Sequence, residues 1–211
     1  MIKTTLLVPV CLAFGFMNLP AQSPAPANTN PLAGLNLNDP NAWGGTHAAS
    51  VSTTPSPFVA QFKGHLLVMD HGTPKPFDVS TLKDVKYWAF YYSASWCVPC
   101  RAFTPQLVDF YKHFKSSHPN FELIFVGNDS TQDAMLAYMK EDKMPWPSMQ
   151  YPDLNQPGVS VKKYCGPGIP DLVLTDENGK VLSDSFDGKD YVGPEKVMAD
   201  IRKMVPMPDG V

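Results

Sequence analysis

Apolar and polar positions alternate along this chain in short runs, and from Phe58 onward those runs predict a succession of strands and helices. Leu66-Leu67-Val68-Met69 reads as a strand, His71-Gly72-Thr73-Pro74 as a turn, and Phe77 to Val79 as the returning strand of a hairpin. The aromatic run Tyr87 to Tyr92 reads as a buried strand that stops at the small residues Ser93, Ala94 and Ser95. From Arg101 to about Lys115 the period changes. Phe103, Leu107, Phe110, Tyr111 and Phe114 recur at three- and four-residue steps, which places them on one helical face. Phe121 to Val126 predicts the central strand, beside the first. Ser130-x-x-Asp133 then gives a capping-box-like start to a helix through about Glu141, whose Met135, Leu136 and Met139 suit core packing. Met144-Pro145-Trp146-Pro147 reads as a rigid loop and Pro157 to Tyr164 as a short helix. Leu172 to Thr175 and Val181 to Ser185 read as strands joined by the turn Glu177-Asn178-Gly179-Lys180. A last helix has Pro194 near its first turn and Val197, Ile201, Met204 and Val205 on its apolar face.

The N-terminal quarter follows a different pattern. Lys3, the apolar run Leu6 to Phe16 and the segment Leu19-Pro20-Ala21 together predict a cleavable signal peptide over residues 1–21. That run is shorter than the ~20 residues a membrane span needs, so no span is expected in the mature chain. Cys11 as a lipid-attachment site is disfavoured by the bulky Val10 before it. Residues 22–57 are rich in Pro, Asn and Ser, with Asp39 the single charge, and read as a flexible tether. Trp43, Leu35 and Leu37 within it are candidates to dock on the domain or a partner. The folded domain is expected over 58–211, in an exported, periplasmic or secreted protein. A chain of 211 residues fits one domain plus extensions, and 44% hydrophobic residues suffice for a core. A net charge of −3 gives no basic footprint, which argues against nucleic acid as a partner.

The candidate chemistry is Trp96-Cys97-Val98-Pro99-Cys100, set between the strand and the helix. Two thiols three residues apart at a helix start can close a small disulfide ring. The free N–H groups there favour a thiolate on Cys97, with Cys100 as the resolving thiol. A zinc site would need a second pair of ligands at ligand spacing. Only Cys165 and scattered histidines remain, and the pair His113 and His118 falls among solvated helix-end residues. No metal is expected. Cys165 has three readings: a buried small hydrophobe, an auxiliary redox thiol, or one half of an intermolecular disulfide.

The segments Ser93-Ala94-Ser95-Trp96-Cys97 and Pro99-Cys100-Arg101-Ala102-Phe103-Thr104-Pro105 resemble the thioredoxin-like superfamily, most closely its nucleoredoxin/tryparedoxin-like branch. So do Phe121-Glu122-Leu123-Ile124-Phe125-Val126, Met144-Pro145-Trp146-Pro147 and Gly168-Ile169-Pro170. The similarity covers roughly residues 58 to 205. It implies an α/β fold, with a central mixed β-sheet flanked by helices and an N-terminal β-hairpin extension. It also implies that Cys97 lies at the edge of a substrate groove shaped by Trp96, Val98, Pro99, Arg101, Ile169 and Pro170. Ile169–Pro170 would be a cis peptide facing the disulfide, its Ile169 backbone free to pair with an extended substrate. Arg101 is expected either to add positive potential beside the thiolate or to be solvated. Where typical thioredoxins carry a buried acid six positions before the first cysteine, this chain has Tyr91, so water, Tyr91 or another group would handle the proton. Pro105 matches the family's helix-kinking proline, although by position alone it could mark a helix break. Trp146 is expected near the groove or in the core.

The resemblance implies an exported thiol–disulfide oxidoreductase without bound cofactor, acting on protein or peptide thiols and disulfides and recharged by an unidentified redox partner. Pro99, where oxidants and isomerases of the superfamily commonly carry histidine, favours a reductase. Its potential is expected nearer roughly −270 mV than roughly −120 mV. The other readings are a disulfide oxidant or isomerase, a non-catalytic interaction module on the same fold, and a peroxidase using Cys97.

Overall fold

The computed structural model describes residues 56–151 and 159–208. The signal peptide expected at 1–21, the tether at 22–57 apart from its last two residues, and the start of the short helix expected from Pro157 lie outside the described residues. The elements in chain order are α1 (Pro57–Ala60), β1 (Leu66–Asp70), β2 (Thr73–Pro76), β3 (Tyr87–Ser93), α2 (Val98–Ser117), β4 (Phe121–Gly127), α3 (Gln132–Glu141) and β5 (Ser148–Met149). They continue with β6 (Asp171–Asp176), β7 (Val181–Asp184), β8 (Phe186–Asp187), β9 (Asp190–Tyr191) and α4 (Pro194–Met204). The described residues also include the 3₁₀ turns Val79–Leu82 and Ser160–Tyr164.

Seven strands form one mixed sheet in the order β2-β1-β5-β4-β3-β6-β7. β4 is the middle strand, and β3 beside it runs parallel to β4 and antiparallel to β6 along its length. The alternation of β3 shows why an unbroken apolar run was required. Ala89 and Tyr91 face the layer made by α2, α3 and α4, while Trp88, Phe90 and Tyr92 face Phe62, Val161 and Tyr164 on the other side. A strand covered on both faces has no solvent side on which to place polar residues. The mixed sheet with flanking helices is the architecture implied by the resemblance.

The hairpin at the sheet edge differs in register from the expectation. His71 and Gly72 both take positive φ (49° and 78°), so a two-residue turn places Thr73 opposite Asp70 and the return strand is Thr73–Pro76. Phe77 to Val79 is not strand, because the Asp78 carboxylate accepts the Ser80 N–H and starts the first 3₁₀ turn. Through β5 the hairpin joins the main sheet, Leu66 opposite Met149 and Leu67 opposite Ser148.

The active-site helix begins at Val98 rather than Arg101, because Cys97 caps it: its sulfur accepts the Cys100 N–H at 3.2 Å. Val98-Pro99 occupies the first turn, where proline's missing N–H removes no helical bond. Pro105 does not end the helix, which runs on to Ser117. Thr131 rather than Ser130 caps α3, its hydroxyl accepting the Ala134 N–H at 3.2 Å. The small hairpin β8–β9 was not foreseen; it turns at Gly188, with φ 63°. Among the described residues no helix is long and apolar enough to cross a membrane.

Candidate active site

β3 and β4 run parallel and end side by side, and the turn that follows β3 is tied to the one that follows β4. Asn128 donates its N–H to the Ser93 carbonyl at 2.7 Å. One oxygen of the buried Asp129 carboxylate accepts both the Ser95 N–H (2.9 Å) and the Ser95 hydroxyl (2.6 Å). These bonds fix the turn that delivers Cys97 to the head of α2. Cys97 and Cys100 form a disulfide, S–S 2.06 Å. Cys97 is 5% exposed and Cys100 fully buried. The Cys100 N–H aimed at Cys97 Sγ, with the helix N-terminus behind it, would stabilise negative charge on that sulfur once the pair is reduced.

Beneath the pair lies a closed set of hydroxyls. Thr104 Oγ1 donates to the Cys100 carbonyl at 2.9 Å. Its oxygen then accepts from Tyr91 (2.8 Å) and Tyr138 (2.6 Å), and Tyr138 accepts from Ser93 (3.0 Å). Burial, and then Tyr138, push the Tyr91 phenol far above its ordinary range, so it stays neutral. The Tyr91 hydroxyl reaches the Cys100 carbonyl oxygen (3.4 Å), not a sulfur through any hydrogen bond. It supports the backbone of the resolving cysteine.

Opposite the disulfide stands the loop before β6. The Ile169–Pro170 bond is cis, and the Ile169 carbonyl oxygen lies 3.7 Å from Cys97 Sγ. Ile169 also packs on Ala94, Cys97 and Cys100. Three contacts hold this loop. The fully buried Asp171 carboxylate accepts the Gly166 N–H at 2.7 Å. The Tyr191 hydroxyl donates to the Pro170 carbonyl at 2.9 Å. The Phe186 ring covers Gly166 so closely that a Cβ there would sit 2.4 Å from it. Burial raises the Asp171 carboxyl to about 6 against the Gly166 N–H, which favours the charged form; Asp184 adds to the rise and Ser185 opposes it. Cys165 is half-buried, with its sulfur 3.4 Å from the Gly166 carbonyl. Burial first, and Asp171 second, push its thiol up, which leaves it protonated at neutral pH.

The Thioredoxin-like family model matches residues 84–181 of this chain. The chain is 27% identical to tryparedoxin II from C. fasciculata, covering 74% of this chain and 97% of that one, with TM-score 0.53. It is 32% identical to tryparedoxin I from Leishmania major, covering 69% of this chain and 90% of that one (TM-score 0.49). This chain belongs to the thioredoxin-like family. Nucleoredoxin from Danio rerio is 33% identical over 129 residues, 61% of this chain, which puts this thioredoxin-like domain on the nucleoredoxin/tryparedoxin-like branch. The match takes in only 29% of that nucleoredoxin's own length.

In this thioredoxin-like domain, the residues singled out from the sequence take several different places. Trp96 is 65% exposed and donates its indole N–H to the Asn128 carbonyl at 3.3 Å. Val98 is 80% exposed, so the two side chains make an apolar rim on either side of Cys97. Arg101 turns away to the end of α3, where it pairs with Glu141 (3.2 Å) and Asp142 (3.6 Å) and lies over the Tyr138 ring. Arg101 is thus exposed, as the solvated reading has it, with its charge turned to these acids. Trp146 is fully buried behind Tyr91 and Tyr111, away from the groove.

Thr104, Tyr138, Asp129, Asp171, Phe186 and Tyr191 also stand around the site, where the sequence did not lead one to expect them. Thr104 carried a weak signal: a hydroxyl four residues after Cys100 can bond back to its carbonyl. The others reach the site only through sheet pairing and the β8–β9 hairpin.

Proposed function

We propose that this chain is an exported thiol–disulfide oxidoreductase that works as a reductase of protein or small-molecule disulfides. The observation that carries the chemistry is the Cys97–Cys100 disulfide at the N-terminus of α2, with Cys97 facing the Ile169 carbonyl between exposed Trp96 and Val98. In the reduced protein the Cys97 thiolate attacks one sulfur of a substrate disulfide. One Cys97–substrate S–S bond forms, the substrate bond breaks, and a thiolate leaves and takes a proton. Cys100 then loses its proton and attacks Cys97 Sγ, which re-forms the Cys97–Cys100 bond and releases the second substrate thiol. The substrate gains two electrons and two protons, and a dithiol donor must return them to the protein. The buried position of Cys100 supports this order, since an incoming disulfide meets Cys97 first.

Substrate backbone is expected to run along the Ile169 edge, where the carbonyl is already turned to the sulfur. Export is supported by Lys3, the Leu6 to Phe16 run and Leu19-Pro20-Ala21, and places the reaction in an oxidising compartment. Direction is supported by Pro99 beside Cys100. Equilibrating the chain lacking residues 1–21 with dithiothreitol or glutathione, and counting free thiols, tests the proposal. A potential near roughly −270 mV supports a reductase, and one near roughly −120 mV makes the protein a disulfide donor. A pair that never cycles sinks the redox reading.

A further inference from the structure

The loop that faces Cys97 is held from behind by a carboxyl that no step of the exchange uses. Asp171 follows Pro170 directly and is the first residue of β6, paired with Tyr92 of β3. It has no exposed surface. Its Oδ2 accepts the Gly166 N–H at 2.7 Å, so carboxyl and amide close a ring around the very residues that carry the Ile169 carbonyl. Its Oδ1 has no hydrogen-bond partner among the described residues. The Ser185 hydroxyl beside it gives its proton to the Leu172 carbonyl at 3.0 Å. A buried carboxyl with one satisfied and one orphaned oxygen costs stability without a structural return unless its grip on the loop matters. A hydrophobic residue would fill this sheet position with less penalty.

We propose that Asp171 is a positioning residue for exchange at Cys97, holding Gly166 so that the Ile169 backbone stands where an extended substrate must pair beside the sulfur. This rests on the redox reading of the Cys97–Cys100 pair. The Gly166 bond is charge-assisted when Asp171 is ionised and weakens when it takes a proton. Burial pushes this carboxyl up to about 6, which puts the change within the range an exported protein meets. Around it, the Gly166 N–H favours the charge and Asp184 of β7 opposes it. Tyr92 of β3 and Cys165 of the loop face it as neutral groups, both pushed upward. Tyr191 of β9, beside Glu195 of α4, is likewise pushed up and neutral. Lys162 acts on Cys165 rather than on Asp171. Asp171 is therefore the group in this cluster that changes charge between pH 5 and 7.

The test uses two substrates and the full chain. Hydroxyethyl disulfide has no peptide backbone to pair with Ile169, while an extended peptide disulfide has one. Both report the Cys97 thiolate equally, so the ratio of their kcat/KM values removes its titration. In the wild type this ratio is expected to fall roughly fivefold from pH 7 to pH 5, through KM, the scale of exchanging a charge-assisted for a neutral hydrogen bond. In Asp171→Asn it should be flat with pH. A second measurement needs no variant: in the oxidised wild type, the Gly166 amide proton shift and the Asp171 carboxyl carbon shift should titrate together near pH 6. A ratio that falls equally in Asp171→Asn, or a carboxyl that titrates near 4 without moving Gly166, overturns the proposal. If neither disulfide is reduced at any pH, the redox reading itself has failed and the positioning role falls with it.

Discussion

Asp129 holds Ser95 through a single oxygen, taking the backbone N–H at 2.9 Å and the side-chain hydroxyl at 2.6 Å. The carboxylate comes from the end of β4 and the serine from the end of β3, so this double bond sets the start of the turn into Cys97. Asp129→Ala removes the one acceptor of both bonds from a partly buried turn. The expected cost is about 1–3 kcal/mol, with a loss of about 2–12 °C in melting midpoint for a domain of this size. Exchange rate should fall with it. Asp129→Asn, which keeps an acceptor oxygen, should recover most of both. Calorimetry and a disulfide-reduction assay on the two variants check this.

Tyr91→Phe tests the hydroxyl set beneath the disulfide. Loss of one bond to Thr104 is expected to cost about 1 kcal/mol in chemical denaturation. Because burial holds the phenol far above its ordinary range, the pH profile of exchange between 5 and 9 should be that of the wild type. A profile that loses an ionisation would restore Tyr91 as a proton carrier.

Cys165 should behave as an unreactive thiol. With the thiol raised by burial and Asp171, iodoacetamide at pH 7 should label Cys97 of the reduced chain well before Cys165. Cys165→Ser should keep the turnover of the parent. Faster labelling of Cys165, followed by mass spectrometry of the peptides, would contradict its sheltered position.

Asp171 also sets a pH dependence of stability. Its carboxyl titrates near 3.8 when unfolded and about 6 when folded. Between those values the folded chain keeps a proton that the unfolded chain has released, so stability falls as pH rises through this window. The contribution is fully present below pH 3.8 and gone above about 6. At about 1.36 kcal/mol per pH unit the change is about 2–3 kcal/mol. Urea denaturation should therefore show Asp171→Asn gaining on the wild type by that amount between pH 4 and pH 7, with no further gain above it.

Gly166→Ala should be costly for a steric reason. The added Cβ would lie 2.4 Å from the Phe186 ring and 3.2 Å from Asp171 Oδ2. Overpacking of this kind costs about 1–3 kcal/mol, read as a drop in urea midpoint at unchanged slope. Phe186→Leu in the same chain removes the ring and should return part of the loss.

Chemistry at Cys97 and Cys100 was legible because it is local: an apolar strand, three small residues and a periodic helix sit within thirty residues of one another. The central strand, its partner and the terminal helix were legible for the same reason. The hairpin register was not, since the positive φ of His71 carries no mark in a sequence. Arg101 could not be read because its partners, Glu141 and Asp142, come from another helix. Asp171 and Phe186 look like an ordinary strand-end acid and a loop aromatic until β6, β7 and the β8–β9 hairpin bring them around Gly166.

The unequal burial of the two sulfurs has a consequence under attack by peroxide. A peroxide molecule approaching the reduced domain meets Cys97, while Cys100 has no surface to offer. The Cys97 thiolate attacks one peroxide oxygen, the O–O bond breaks, hydroxide leaves, and Cys97 becomes a sulfenic acid. The Cys100 thiol, bonded to Cys97 in the oxidised pair, condenses with that acid to give the disulfide and one water. Damage thus ends in the ordinary resting form of the pair, short of the irreversible sulfinic and sulfonic acids.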